Sequence, residues 1–413
     1  MAASFTSNPT ETFYPAGQPL IYTLQTSATI TDTFAFIVQV EENAVEIGKY
    51  YLKANSNNRA HFDLSRIIEG RTKVDPSVYS ATTFLHDYGA NYYTRANTGL
   101  NKYTVKIGEY TGTEALNQAS KNIYVTDGYE QVSTGLHPSF SDYFGTASTK
   151  KYWLTDRAPV NNIITMYAAD EDEGFMALIN KDSIHSNTVS DVTRLQYVIV
   201  RPGTSPLTVQ KDLNTTNGAQ LPSASIPTNG FLVYAAVMPA QVLALNSVTA
   251  WSEIIITPQN ASGVQEGNQL QILPSCPGTR GSGAQVAFAN SRGGWDFLRF
   301  DGYTRKTIRT EEKTYRAILG DYAATTYTFN SYAPETVAYQ KTAVQAYALS
   351  GVFDPADAYL IPYLLRSRQV YAKIDGVWSP VRITDGSAPY KTTPDSQVTQ
   401  FTMNVELAQT IRC

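Results

Sequence analysis

The sequence predicts a mainly β fold, two or three antiparallel β-sandwich or barrel domains with one short C-terminal helix. Three observations carry that expectation. Short runs of alternating, β-branched and aromatic residues recur along the chain, separated by Gly, Asn, Asp, Ser and Pro. Tyr dominates the aromatic residues, with 28 Tyr against 16 Phe and 4 Trp, and such rings favour pleated surfaces and protein interfaces. No stretch alternates strand-like and helix-like patterns, and no GxGxxG is present, so nothing calls for a doubly wound parallel sheet.

In the first stretch, residues 1–130, the runs TDTFAFIVQVEE, IGKYYLKAN, RAHFDLS, KYTVKIGEY and KNIYVTDG read as strands. Phe34, Phe36, Val38 and Val40 form one apolar face, and Asn55–Asn58 and Asp127–Gly128 supply turn chemistry. The strand spacing suggests an immunoglobulin-like sandwich. Residues 80–101, polar and Tyr-rich, read as a long loop or hairpin tip, and residues 128–149 as a boundary. A middle β-domain is expected over 150–275, with low-complexity loops such as 213–230. The acidic tetrad Asp170-Glu171-Asp172-Glu173 reads as a solvated hairpin tip, with a calcium site as the weaker alternative because the DxDxDG spacing is missing. The longest apolar stretch, GFLVYAAVMPAQVLALNSV, is interrupted by Pro239 and Gln241 and is not expected to span a membrane.

A third β-domain is expected over 284–413, after a Gly-rich linker around Gly278, Gly281 and Gly283. Its helix lies near 354–366: Asp354 is the expected N-cap, Pro355 suits the first position, and Tyr359, Leu360, Tyr363 and Leu364 follow at helical spacing. Pro362 predicts a kink or only two to three turns. Arg299, Arg305, Lys306, Arg309 and Lys313, interleaved with Asp301, Glu311 and Glu312, read as one charged strand face.

Signals for chemistry are sparse. Charged residues make up 16% of the chain, against roughly 25% in ordinary soluble domains. A net charge of -4 argues against nucleic-acid or membrane-surface binding by general basicity. His61, His86, His137 and His185 stand singly, and Cys276 and Cys413 are too few for a disulfide framework or a four-thiolate zinc site. With no GxSxG elbow and no phosphate-binding loop, no catalytic, cofactor-binding or metal residue is singled out and no cofactor is expected. The opening MAASFTSNPTETFYPAG lacks the pattern of a secretory signal, so synthesis in a cytoplasm is expected.

One resemblance bears on function. The order NSRGGWDFLRFDG (290–302), RKTIRTEEKTYRA (305–317), YTFNSYAPE (327–335), LLRSRQVYAKIDGVWSPVRITDG (364–386) and FTMNVELAQ (401–409) resembles the C-terminal region of tail-associated structural proteins of Bacteroidetes phages and related prophages. In that family an Asn-x-x-Gly-Gly-aromatic-Asp stretch leads into a β hairpin. A Ser-Pro-x-Val-Tyr type strand, a Pro-Val-x-Ile-x-Asp strand and a final acidic strand come later. Here these fall at 367–371, with Arg368 where the family often has Pro, at 380–385 and at 405–408. AHFDLSRIIEG (60–70) is similar to a segment near the start of the same proteins; the middle of the chain is not covered.

The resemblance implies a non-enzymatic virion component, in the tail, baseplate or connector, assembling as a homo-oligomeric ring. Implied partners are copies of the chain and other virion proteins, with no membrane and no specific nucleic acid. The alternatives are a capsid decoration or head-fibre protein, and an adhesin gripping a host-surface glycan through loops 80–101 or 213–230. The closing hairpin, 377–384 with 400–407, is expected to be free to exchange between subunits by strand addition.

Overall fold

The computed structural model describes residues 3–9, 13–72, 92–95, 99–129, 152–181, 192, 194–212, 231–260, 262–275, 283–317, 320–321, 328–329, 334–385, 399–408 and 411–412. The chain is a mainly β, multi-domain protein. In its first part, a three-stranded sheet (Ser4–Ser7, Ile21–Gln25, Arg59–Asp63) faces a five-stranded one in the order Phe13–Pro15, Glu114–Thr126, Leu100–Tyr110, Ala35–Glu42, Val45–Leu52. Tyr22, Leu24 and Phe62 from the first sheet meet Phe36, Val38, Val40, Tyr103, Val105 and Ile107 from the second in one core. This is a sandwich, and the alternating apolar face of residues 34–40 lies inside it. Asn55 closes its turn by accepting from the amides of Asn57 and Arg59 at 2.9 and 3.0 Å. The pairing is antiparallel except for Phe13–Pro15, which runs parallel to Glu114–Thr126.

The middle part packs a five-stranded sheet (Ile163–Ala168, Gln269–Pro274, Glu253–Gln259, Arg194–Val200, Leu207–Asp212) against a three-stranded one. Ile163–Ala168 and Gln269–Pro274 are parallel. The smaller sheet is ordered Phe175–Lys181, Phe231–Ala236, Tyr93–Arg95, so its last strand comes from the region expected to be a loop of the first domain. Next to it, Tyr92 is buried in the middle core, its ring 5.1 Å from Tyr197 and its hydroxyl donating to Asn246 at 2.7 Å. Residues 80–91, 96–98 and the loop 213–230 lie outside the described residues. The long apolar stretch divides into the strand Phe231–Ala236 and an unexpected helix, Pro239–Asn246. Pro239 occupies a first-turn position that needs no amide donor, and left-handed Ser247 ends the helix. Among the described residues no helix is long and apolar enough to cross a membrane.

The last part is an eight-stranded sheet, ordered Trp295–Phe300, Ala284–Ala289, Val370–Ile374, Val377–Ile383, Thr399–Leu407, Thr336–Phe353, Thr304–Arg316, with Ile411–Arg412 also on Thr336–Phe353. It curls back on itself. The Gly302 amide donates to Ser350 O at 2.7 Å, the Ser350 amide donates to Tyr303 O at 3.1 Å, and Phe300 packs on Phe353. Leu360, Ile361 and Leu364 cap the enclosed core. Leu360 caps, and Ile361 and Leu364 lie in, the second of two short helices, Pro355–Ala358 and Ile361–Arg366, which stand in place of one kinked helix. Pro362 sits in the first turn of the second, where a missing amide costs no hydrogen bond, so the break falls before it.

The strands of the closing hairpin lie in the chain's own sheet. Val377–Ile383 pairs with Val370–Ile374 over residues 377–381 and with Thr399–Leu407 over 381–383, and Thr399–Leu407 pairs with Thr336–Phe353 over 399–406.

Because Tyr92 joins the first segment to the middle core, Tyr92→Ala should remove about 3 kcal/mol or more of stability. Chemical denaturation should show the loss as a lower midpoint.

Candidate assembly surface

The turn Asn290–Gly294 joins the strands Ala284–Ala289 and Trp295–Phe300, and all three parts of the chain meet there. The Asn290 side chain accepts from the amides of Arg292 and Gly294 at 3.0 and 2.8 Å, and donates to Leu154 O at 2.8 Å. Gly293 has φ +83°, and a Cβ on Gly294 would lie 2.4 Å from Leu154 O, so both positions exclude ordinary side chains. From the first sandwich, Thr126 Oγ1 donates to Arg292 O at 3.0 Å and the Tyr129 amide to Ser291 O at 3.0 Å. The sequence stretch NSRGGWD is therefore the turn of a β hairpin and a junction of three chain segments.

Beneath that turn lie two buried carboxylates. Asp156 accepts from the Ser291 amide at 2.7 Å and from the Ser291 hydroxyl. Asp296 accepts from the Asp156 amide at 2.9 Å and from the Thr155 hydroxyl. Arg157 pairs with Asp357, reaching from the middle part to the capping helix, and donates to Phe297 O at 2.8 Å. Burial, then the neighbouring Asp296 charge, pushes Asp156 up to about 7, against the pull of Ser291 and Arg292. Burial raises Asp296 as well.

The acidic tetrad forms a second joint and not a solvated hairpin tip. The strands it connects, Ile163–Ala168 and Phe175–Lys181, lie in different sheets. Asp172 is 2% exposed. Arg299 forks across Asp172, Glu171 and Asp301 at 2.5, 2.6 and 2.7 Å. Lys373 meets Glu173 at 2.7 Å, and Trp251 Nε1 donates to Asp170 at 2.7 Å. Gln285 brackets the Glu173 backbone, accepting from its amide at 3.0 Å and donating to its carbonyl at 2.7 Å. Burial pushes Asp172 up to about 6, with Arg299 opposing. Protein cations occupy these carboxylates, and among the described residues no group of three or more His, Cys, Asp or Glu could hold a metal ion. Apolar packing reinforces the joint: Ala287, Ala289, Trp295, Phe297 and Trp378 face the middle core, while Val286, Phe288, Leu298 and Phe300 face the last one.

From this braced body a ribbon projects. Thr304–Arg316 has 13 residues and Thr336–Phe353 has 18, paired from Thr304↔Leu349 to Arg316↔Thr336 with a register shift at Lys313/Thr314. Thr399–Leu407 flanks the pair only as far as Ala346, and Ile411–Arg412 adds two further pairs. Arg305, Lys306, Arg309 and Lys313 are exposed here, as a charged strand face requires, whereas Arg299 is held in the acidic joint.

Directly paired residues share a face. Tyr347, Leu349 and Phe353 point into the core, so the outward continuation of that side carries Ile308, Thr310 and Glu312, with Lys341 opposite Glu312. The opposite face carries Arg305, Arg309, Glu311 and Lys313 and, past the extra residue that Thr336–Phe353 inserts at the register shift, Tyr315 with Val337 and Tyr339. Ile308, Tyr315 and Tyr339 are 59%, 52% and 62% exposed, and the two Tyr rings lie 6.4 Å apart. Lys306 sits over the buried Tyr347 ring at 5.7 Å, marking where the core ends and the open ribbon begins.

The remaining singled-out residues do not converge. His61 lies on an outer strand with Nδ1 3.1 Å from Thr23 Oγ1. His86, His137, His185, Cys276, Cys413, Gly278 and Gly281 lie outside the described residues. Compared with known proteins, the chain matches no family model and no curated protein. Among solved structures it is similar to a marsupial T cell receptor at a TM-score of 0.17 and 7% identity, over 100% of this chain and 99% of that one, a likeness too slight to carry an argument.

Replacing Arg299 by Met should cost about 3–5 kcal/mol, because Asp172 stays buried without its cation. Differential scanning calorimetry should show the loss. A carboxyl raised from about 3.9 in the unfolded chain keeps its proton in the native state over the intervening pH range. The stability it contributes is complete below about pH 4 and is lost as pH rises through the native value near 7. The melting temperature should therefore fall between about pH 4 and 7, the span between the two values, and Asp156→Asn should flatten the fall.

Proposed function

We propose that this chain is a non-enzymatic structural component of a bacteriophage virion, a tail, baseplate or connector protein that assembles with copies of itself as a ring and resides in the virion. The observation that carries this reading is the projecting ribbon on a body whose parts are locked together by buried charge and shared strands. A ring transmits load through broad contacts between rigid units, and an exposed Tyr-bearing ribbon offers contact area and not a cleft. The resemblance at 60–70 and 290–409 supports the same class. Its hairpin motif coincides with the Asn290–Gly294 junction, so the residues that carry the resemblance are those that join the body.

A glycan-gripping role for 80–101 gains no support from Tyr92, which is buried between sheets and not offered to solvent. The purified chain should appear as closed rings in negative stain and should copurify with phage particles in stoichiometric amounts. A protein absent from particles would contradict the proposal.

A further inference from the structure

We propose that the Asn290–Gly294 junction is a proton-operated latch. One proton held by the Asp156–Asp296 pair keeps the first sandwich docked on the last part of the chain, and its loss loosens that dock. This goes beyond the assembly reading above and does not rest on it.

The balance of charge calls for the proton. Asp156, Asp296 and Asp357 are buried at the junction, and the guanidiniums beside them are those of Arg157 and Arg292. Arg157 is committed to other groups: Nη1 pairs with Asp357 and donates to Thr165 O at 3.2 Å, and Nη2 donates to Phe297 O at 2.8 Å. Arg292 Nε stands 3.8 Å from Asp156 Oδ1. The hydrogen bonds that the pair accepts come from neutral groups, the Ser291 amide and hydroxyl, the Asp156 amide and the Thr155 hydroxyl. Other neighbours do not make up the difference. Burial raises the hydroxyls of Tyr129 and Tyr363, so both stay neutral, and Arg366 is exposed to solvent. One negative charge is left over in a buried site, and a proton cancels it. A hydroxyl donates to a carboxylate and accepts from a carboxyl, so the Ser291 bond persists in either state.

What the latch holds follows from the contacts of the turn. Ser291, which serves Asp156 through its amide, accepts from the Tyr129 amide at 3.0 Å, and Arg292 O accepts from Thr126 Oγ1 at 3.0 Å. A Cβ on Gly128 would come within 2.4 Å of Ser291 O. Seating the turn on Asp156 therefore seats the first sandwich as well. The middle and last parts keep a second joint at the Arg299 fork. The first sandwich meets the last part at this turn, at Tyr129 Oη donating to Tyr363 O at 3.1 Å, and at the exposed Arg368–Glu69 pair. Ionising both carboxylates leaves two like charges side by side, and opening the turn to water relieves them. The first sandwich is the part set free.

The test is hydrogen exchange by mass spectrometry on the full chain, read as protection factors. A carboxyl near 7 in the closed state and near 3.9 once open makes opening on the order of fifty- to a hundredfold more frequent at about pH 8 than at about pH 5. Amides of residues 127–129 and 290–294 should lose protection by that factor. Low urea should leave their protection unchanged, because a local opening exposes little surface. Amides of Ala35–Glu42 and Glu253–Gln259, which exchange by global unfolding, should be better protected at each pH and should respond to urea. Asp156→Asn removes the leftover charge and should abolish the pH dependence at the junction; Asp296→Asn does the same and serves if the first variant does not fold. Equal junction protection at the two pH values in the wild type would overturn the latch. Junction amides that respond to urea as the core strands do would overturn it too, and so would a folded variant that keeps the wild-type pH dependence.

Discussion

Two buried carboxylates, Asp156 and Asp296, tie the parts of this molecule together. Asp156 comes from the segment leading into the middle part and Asp296 from the first strand pair of the last. Neither could be buried charged and alone, because an unpaired ion in such a site costs several kcal/mol. The amide and hydroxyl of Ser291, the amide of Asp156 and the hydroxyl of Thr155, with Arg157 and Arg292 close by, make the burial tolerable. Those donors are available only when the Asn290–Gly294 turn is seated against the middle part. Moving one part relative to the other would strip both carboxylates of their donors together, so the joint resists hinging.

That rigidity gives the ribbon a fixed direction. Its strands begin inside the curled sheet, where Gly302 and Ser350 close the backbone ladder, and end where Arg316 pairs with Thr336. The Arg299 fork and the Lys373–Glu173 pair brace the same sheet on its other side. A projection on a loose hinge would lose entropy on every contact; one held by buried ion pairs loses less. The buried joint and the ribbon are thus linked through the strands Ala284–Ala289 and Trp295–Phe300, which bury side chains on both faces.

Much of the strand content was legible because alternation is local: 34–40 and the pair 102–110 with 121–128 show it directly. Partners distant in sequence were not. Asp172 reads as a solvated acid until Arg299 is placed beside it, 127 residues away. The insertion of Tyr93–Arg95 into the middle sheet was hidden for the same reason, since three residues among polar neighbours carry no period. The helix Pro239–Asn246 was masked by an apolar run that a buried strand would equally well use. Arg305–Lys313 could be read as a charged strand face, yet whether such a strand lies on a body or leaves it depends on where its neighbours stop.

The most direct measurement is cross-linking mass spectrometry on an equal mixture of light and heavy-nitrogen chains. Lys306, Lys313 and Lys341 lie on the ribbon, and lysine links that join a light peptide to a heavy one are the result that assembly with copies of the chain predicts. Links confined to one isotopic chain throughout the protein would contradict it.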